Sequence, residues 1–255
     1  MYPIPTIDWV TIPAGTFLMG TDLTQDRVAA SAPWRDWVNR TEMPQHRLHM
    51  PSFQISRYPI TNTEWGQFLQ QSGYHWAEQQ RLWQNGLPAG KANHPVVWVT
   101  WYDAKAFCDW AGVRLPSDAE WERAARGDDG RLYPWGNSEP TAERANYAEQ
   151  VGDTTPVDHY PAGVSPYGVF DLAGNTWEWL STLWGYDKDH PEFGYPYRAD
   201  DGRESTAPTD RLRMVRGGGW RYSGDLIRAA YRDWNRAAMR GSGLGFRVVR
   251  DFPLD

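Results

Sequence analysis

Cysteine is almost absent from this sequence. Its 255 residues include a single cysteine, Cys108. One cysteine excludes a framework of internal disulfides and a pair of redox-active thiols, and such sparse use is common in reducing compartments, so we expect a cytoplasmic protein. Cys108 falls on the apolar stripe of a predicted helix, and we interpret it as a small buried hydrophobic residue and not as a nucleophile.

Long hydrophobic runs and an excess of positive charge are missing as well. The opening MYPIPTIDWVTIPAG has no basic segment followed by a long apolar run, and the sequence contains no run of about 18 apolar residues, the length of a membrane-spanning helix. The 26 Lys and Arg residues are outnumbered by 32 Asp and Glu, for a formal net charge of −6. This balance disfavours phosphate backbones and anionic lipid surfaces. We therefore predict neither a nucleic-acid nor a membrane partner.

Aromatic residues, glycine and proline are abundant instead. The sequence has 16 Trp, 13 Tyr and 8 Phe, together with 24 Gly and 19 Pro. Such a composition favours a loop-rich architecture with many turns over a helical bundle. With 40% apolar residues the chain can bury a substantial core, and mixed folds of this length often form one domain. We expect a single domain over residues 1–255.

Two regions near the N-terminus have the pattern of β-strands. WVTIPAGTFLMG clusters β-forming residues around Gly15, which predicts two short strands joined by a turn. The polar segment through Arg40 is interpreted as a loop. HRLHMPSFQISRYPIT then alternates apolar and polar residues, and Phe53, Ile55 and Tyr58 are the expected inward-facing set of another strand.

Three short helices are predicted from their terminal residues. Each starts with a Ser or Thr that can cap the first turn, in two cases with a Glu three positions later that completes a capping box. Each is followed by a glycine that can end the helix. The starting and ending residues are Thr61 and Gly73, Thr100 and Gly112, and Ser117 and Gly127. Residues 128–214 show almost no helical signal, so we expect ordered loops there.

A series of motifs follows along almost the whole chain. They are IPAGTFLMG, PQHRLHMPSFQISRYPITNTEWGQFL, HPVVWVTWYDAKAFCDWAGVRLPSDAEWERAARG, YPWGN, TPVDHYPAG, YGVFDLAGNTWEWLS, and RGGGW, IRAAYR and GLGFRVVR near the C-terminus. In this order they resemble the formylglycine-generating enzyme family, also called the sulfatase-modifying-factor domain. The resemblance implies an α+β fold of the C-type-lectin type: irregular and loop-rich, with short antiparallel sheets and two main helices.

The family contains copper-dependent formylglycine-generating oxidases, iron sulfoxide synthases, pigment-maturing enzymes and non-catalytic binding proteins, so the fold does not select one activity. In the oxidases two cysteines of the C-terminal segment bind copper. Residues 215–250 contain no cysteine, and copper(I) requires soft thiolate ligands. We therefore expect no copper and no formylglycine-generating activity.

Iron ligands are also not evident in the sequence. An iron site needs about two His and a carboxylate, or three His, at one point. The histidines are His46, His49, His75, His94, His159 and His190. Their spacing forms no metal-binding motif, and we favour structural roles for them. In the sulfoxide synthases of the family an additional helical domain supplies iron ligands, and no such domain is recognised here.

The resemblance also implies calcium, bound within FDLAGNTWEW. The expected ligands are the side chains of Asp171 and Glu178 and the carbonyls of Gly174 and Thr176. Hard oxygen ligands of this kind suit Ca²⁺. Another site would use Asn146 and the Tyr147 carbonyl, although the loop that follows is shorter than in the enzymes. The alternative is that the two carboxylates cap turns and pair with arginines. Either role is structural.

The segment 215–250 is similar to the C-terminal segment of variable proteins diversified by retroelements, a branch of the same fold. There a fixed frame surrounds residues that form an exposed binding face. The positions displayed by analogy are Arg221, Tyr222, Ser223, Asp225, Leu226, Tyr231, Asp233, Trp234, Asn235, Arg236, Met239, Gly241, Ser242 and Gly243. Buried supports are expected at Trp220, Arg228, Arg232 and Phe246. A merely structural C-terminal hairpin is the alternative.

Two classes of function follow from this surface. We favour a non-catalytic protein that binds an unidentified protein or small molecule through it, in the manner of a retroelement-diversified variable protein. Codons argue against diversification itself, because Trp234 and Met239 cannot arise from the adenine-rich codons that such systems mutate. The alternative is a metal-dependent oxidase- or oxygenase-like enzyme without the cysteine pair, whose acid–base groups would come from Glu178, Asp225, Asp233, Tyr222 or Tyr231.

Overall fold

The computed structural model describes residues 6–207 and 210–251. The strands are β1 (Trp9–Ile12), β2 (Gly15–Met19), β3 (His46–Met50), β4 (Phe53–Ser56), β5 (Trp177–Gly185), β6 (Leu212–Arg216), β7 (Asp233–Arg236), β8 (Leu244–Gly245) and β9 (Val249–Asp251). The α-helices are α1 (Arg27–Ser31), α2 (Arg35–Thr41), α3 (Asn62–Ser72), α4 (Gln79–Leu82), α5 (Trp101–Ala111) and α6 (Asp118–Arg126). The predicted domain limits, residues 1 and 255, lie outside the described residues.

Small sheets organise this part of the chain. One sheet has the order β1-β4-β9, a second pairs β2 with β3, and a third has the order β7-β6-β5-β8. All pairs are antiparallel except β5 with β8. The two predicted N-terminal strands exist, but they enter different sheets, since Val10 pairs with Ile55 and Phe17 pairs with Leu48. The α+β class with short, mainly antiparallel sheets is confirmed.

The capping residues place the three longest helices correctly. α3, α5 and α6 each begin with a reciprocal capping box, which satisfies backbone N–H groups that have no partner inside the helix. Thr100, predicted as a simple cap, completes its box with Asp103. Gly73 and Gly112 end α3 and α5 with φ of 67° and 68°, a left-handed conformation that glycine adopts without steric cost.

Other expectations were wrong near the N-terminus. The segment through Arg40, expected to be a loop, contains α1 and α2. These helices are too short for a clear periodicity, and tertiary contacts hold them: Val38 is fully buried, and Trp37 stacks on Trp184 with ring centroids 5.4 Å apart. Tyr58, expected to face inward on a strand, lies beyond the end of β4 and is only half-buried.

The long strand β5 was also missed, because residues 128–214 were expected to form loops. Eight of its nine residues are buried, and Ser181 is half-buried. A strand buried on both faces has no alternation of apolar and polar residues to reveal it. β5 lies between β6 and β8 and forms the floor beneath the C-terminal segment.

Buried ion pairs join the C-terminal segment to the N-terminal half. Arg216 lies 2.6 Å from both Asp118 and Glu122, and Arg228 lies 2.9 Å from Glu42, with these side chains fully buried. Breaking such a pair leaves an uncompensated buried charge at a cost of about 3–5 kcal/mol. The four expected supports, Trp220, Arg228, Arg232 and Phe246, are all buried. The buried ion pairs and supports therefore hold the C-terminal segment against the rest of the fold.

No helix in the described ranges is both long and apolar enough to cross a membrane.

Candidate functional site

A concave surface lies where the C-terminal segment folds over β5. This C-terminal cleft has a volume of about 180 Å³. Its lining residues are Trp177, Gly219, Trp220, Arg221, Tyr222, Asn235, Met239, Arg240, Gly241, Ser242, Gly243 and Leu244. Seven of the predicted binding residues are among them.

Strand β7 divides the predicted binding surface into two faces. Successive side chains of a strand point to opposite sides of the sheet. Asn235 accordingly lines the C-terminal cleft, whereas Trp234 and Arg236 line a different cavity of about 540 Å³, which we call the outer cavity. Tyr186 and Arg211 form part of the wall of that cavity. The residues predicted to form one display face therefore serve two separate concavities.

An aromatic row leads from the interior into the C-terminal cleft. Trp34 contacts Tyr231 edge to face at 5.5 Å, Tyr231 contacts Trp177 at 6.1 Å, and Trp177 contacts Tyr222 at 5.1 Å. Tyr222 is 41% exposed at the open end, while Tyr231 is buried. The expectation that Tyr231 is displayed to solvent was wrong, because Trp34 from the N-terminal part of the chain covers its ring.

Two ionisable groups near the cleft, Asp233 and Tyr231, have raised pKa values. Burial raises the pKa of Asp233 to about 6, although the Trp234 backbone N–H donates to its carboxylate at 2.8 Å. Burial also raises the pKa of Tyr231, and the nearby Asp233 charge raises it further. A carboxylate with a pKa near neutral pH can accept and release a proton during a reaction.

The remaining predicted binding residues lie at the rim. Ser223 is exposed and donates a hydrogen bond to Asp225, which also accepts one from the Trp34 indole N–H at 3.0 Å. Leu226 is partly buried against the main hydrophobic cluster. These residues order the chain beside the cleft and do not line it.

Sequence reasoning missed Trp177, Arg240 and Trp98 at this site. Arg240 is absent from the predicted binding set, yet it lines the cleft and pairs with Glu78 at 3.2 Å. Trp98 has a φ of 64°, a strained conformation for a bulky residue. Its N–H donates to the Gly241 carbonyl at 2.9 Å, so the strained backbone holds one wall of the cleft. No local pattern marks such a residue.

The predicted calcium ligands fit a cation unequally. Asp171 is 6% exposed, and burial raises its pKa to about 7, with Asn175 as its hydrogen-bond donor at 2.8 Å. The side-chain oxygen of Asn146 is buried without a hydrogen-bond partner among the described residues. Both features suit a cation. Glu178 differs, because Arg247 contacts both of its carboxylate oxygens at 2.6 and 2.7 Å. Its geometry matches the arginine pairing considered as the alternative.

The donors for iron or copper do not come together. Within residues 6–207 and 210–251, no three His, Cys, Asp or Glu side chains are grouped so as to hold a metal ion. The residues present therefore do not fit an iron site. Cys108 is fully buried, and burial raises the pKa of its thiol well above the ordinary value. A thiol in this state is unsuited to metal binding or nucleophilic attack.

Two curated relatives match across nearly all of the chain. Hercynine oxygenase of Mycolicibacterium smegmatis is 30% identical over 95% of this chain and 61% of its own length. Formylglycine-generating enzyme of Mus musculus is 30% identical over 98% of this chain and 76% of its own length. The chain thus spans about three fifths of the hercynine oxygenase that it matches.

Solved structures give the same fold. PvdO from Pseudomonas aeruginosa superimposes with a TM-score of 0.71 at 27% identity, covering 96% of this chain and 94% of PvdO. Treponema denticola variable protein 1 superimposes with a TM-score of 0.66 at 21% identity, covering 97% of both chains. The second likeness supports the C-type-lectin-like architecture alone.

These comparisons overturn the preference for a non-catalytic binding protein. That hypothesis was wrong, because the relatives that cover the chain at 30% identity are named as enzymes. They favour the enzyme alternative, although the cysteine pair of the formylglycine-generating oxidases is missing here. The model for the sulfatase-modifying factor enzyme 1-like domain matches residues 3–252, and the chain belongs to this family.

Proposed function

We propose that the chain is an oxidative enzyme of the oxygenase type, which binds a small heteroaromatic metabolite in the C-terminal cleft. The observation that carries this proposal is the cleft itself, with Trp177, Tyr222 and Met239 around a volume of about 180 Å³. This volume suits a molecule the size of an amino acid. A relative that matches 95% of the chain is named hercynine oxygenase.

The aromatic walls supply most of the binding energy in this proposal. Aromatic pairs in stacked or edge-to-face geometry contribute about 0.5–1.5 kcal/mol beyond the burial of their surface. Trp177 and Tyr222 are already arranged edge to face at 5.1 Å, so a planar ring can pack against them without rearrangement. Arg240 lines the same cleft and can orient a carboxylate of the substrate.

Asp233 is the proposed proton acceptor. Its side chain shares a face of β7 with Asn235, which lines the cleft. Because its pKa is about 6, most of the carboxyl group is ionised at neutral pH and can accept a proton. A group whose pKa lies near the working pH is well suited to remove a proton from a bound substrate. The neighbouring Tyr231 and the aromatic row limit the access of water from behind.

The oxidising centre is not assigned to residues of this chain. Because the described residues do not contain a donor set for iron, we derive no step through a metal. Calcium near Asn146 and Asp171 is proposed as a structural ion that braces the loop beneath the cleft. We also propose a cytoplasmic location and a small-molecule partner, for which the single cysteine and the size of the cleft are the support.

The test measures binding and oxidation separately. Hercynine is titrated into the protein by calorimetry, and oxygen uptake is then followed by an oxygen electrode and mass spectrometry. We expect binding that Tyr222→Ala weakens by about tenfold or more, in line with the loss of an aromatic contact and its buried surface. Tyr186→Ala, in the outer cavity, is the matched control and should leave binding unchanged. Equal effects of the two variants, or no substrate-dependent uptake, would contradict the proposal.

A further inference from the structure

The charged residues that line the C-terminal cleft are both arginines, Arg221 and Arg240. The other lining residues in the described part of the chain are aromatic, apolar or uncharged, and no Asp or Glu is among them. A concave surface with charge of one sign raises the local concentration of ions of the opposite sign. The wall of the cleft therefore favours a ligand that has a negatively charged group.

The two arginines differ in how far their charge is already offset. Arg240 lies 3.2 Å from the carboxylate of Glu78, which also contacts Arg81 at 2.5 Å. Arg221 makes no ion pair with an acidic side chain of residues 6–207 and 210–251. Of the two, Arg221 thus has the charge that is available to a ligand.

An aromatic ring holds Arg221 beside the cleft. Its guanidinium lies 4.4 Å from the centroid of the Trp220 ring. Trp220 is buried, and its indole N–H donates to the Ser242 carbonyl at 3.1 Å, which fixes the ring. A guanidinium stacked on a ring keeps the N–H groups along its edge available for two parallel hydrogen bonds to a carboxylate. Because this contact already restricts the side chain, less conformational entropy is lost when a ligand binds.

We propose that Arg221 makes the C-terminal cleft selective for an aromatic carboxylate. The guanidinium pairs with the carboxylate, and the ring packs against Trp177 and Tyr222. Arg240 adds positive charge to the same wall, although Glu78 offsets part of it. This inference rests on the function proposed for the cleft and specifies its class of substrate, a planar ring with an anionic group in preference to a neutral or cationic analogue.

Three probes with the same ring and different charge test the proposal. Phenylacetate, phenylacetamide and phenethylamine are titrated separately into the full chain by calorimetry, at neutral pH and low salt. We expect phenylacetate to bind at least about tenfold more tightly than phenylacetamide, as for a charge-assisted hydrogen-bonded pair. Phenethylamine should bind most weakly, and added NaCl should reduce the affinity of phenylacetate above all. Phenylacetate that does not bind, or that binds no better than either analogue, would overturn the proposal.

Variants assign the selectivity to one side chain. Arg221→Gln should lower the affinity for phenylacetate to that for phenylacetamide and leave the latter unchanged. Arg221→Lys should retain part of the preference, because it keeps the charge without the planar guanidinium. Arg236→Gln is the matched control, since Arg236 is an exposed arginine of the same segment that lines the outer cavity. Full preference for phenylacetate in Arg221→Gln, or an equal loss in Arg236→Gln, would sink the idea.

The outcome can be separated from that of the proposed reaction. Tyr222→Ala should weaken phenylacetate and phenylacetamide by the same factor, because it removes packing against the ring and not the charge. A chain that prefers phenylacetate through Arg221 but takes up no oxygen with hercynine would refute the oxidative function and support this inference. Oxidation of hercynine by a chain in which Arg221→Gln leaves the preference among the probes unchanged would refute this inference alone.

Discussion

Replacement of Asp233 by asparagine should make the protein more stable and less active. Asparagine keeps an oxygen that can accept the hydrogen bond from the Trp234 N–H. The charge alone is removed. Burial raises the pKa of Asp233 from 3.8 to about 6, and a shift of two units corresponds to about 3 kcal/mol at most. Because the side chain retains some exposure to solvent, we expect a gain of about 1–2 kcal/mol.

The sign of the pH dependence follows from the raised pKa. The folded state binds this proton more tightly than the unfolded state, so the charged carboxylate destabilises the fold. The penalty is absent below the unfolded pKa of about 4, grows between about pH 4 and 6, and is complete above about pH 6. Asp233→Asn and the wild type should therefore be equally stable at pH 4 and differ at pH 8.

Urea unfolding followed by tryptophan fluorescence at these two pH values measures the difference. The matched control is Asp200→Asn, which removes an exposed carboxylate and should change stability at neither pH. In the proposed enzyme, Asp233→Asn should also lower kcat and remove the decline in rate near pH 6. A variant less stable than the wild type at pH 8, or equally more stable at both pH values, would refute the reasoning.

Other expected outcomes concern the buried supports of the C-terminal segment, the proposed calcium ion and the missing cysteine pair. Trp220→Ala should lower the free energy of unfolding by about 3–5 kcal/mol, because it truncates a buried aromatic side chain. Tyr222→Ala should stay within about 0.5 kcal/mol of the wild type in urea unfolding. Equal losses of stability in the two variants would contradict a buried Trp220 and an exposed Tyr222. Glu42→Gln, which leaves Arg228 buried without its full partner, should lower stability by about 3 kcal/mol, and an unchanged urea midpoint would rule out this pairing. Calcium added after chelation should raise the melting temperature of the wild type and not of Asp171→Ala; no rise in the wild type excludes the ion. Incubation with copper and a sulfatase-type cysteine peptide should yield no aldehyde by mass spectrometry, and an aldehyde formed with turnover would disprove the argument from thiolates.

Local signals in the sequence predicted the helices better than the strands. The capping boxes of α3 and α6 act within a few residues, so the sequence alone specifies them. β5 was not recognised because burial on both faces removes its alternation. α2 was missed because its stability comes from distant packing, such as that of Trp37 on Trp184.

The resemblance to the family pointed to residues 215–250, and part of this segment lines the cleft. The exposure of each residue there depends on contacts far away in the sequence. Tyr231 is covered by Trp34, and Arg240 is held by Glu78. The split of the surface by β7 also required the strand to be known, since a loop imposes no alternation on its side chains.

The short strand β7 makes the two concavities independently mutable. Trp234 and Arg236 can change the outer cavity without entering the C-terminal cleft, while Asn235 can change the cleft without altering the outer cavity. Selection can therefore tune two recognition surfaces through neighbouring codons. An insertion of one residue before β7 would have the opposite effect, because it would exchange the two sets of side chains and alter both surfaces in one step.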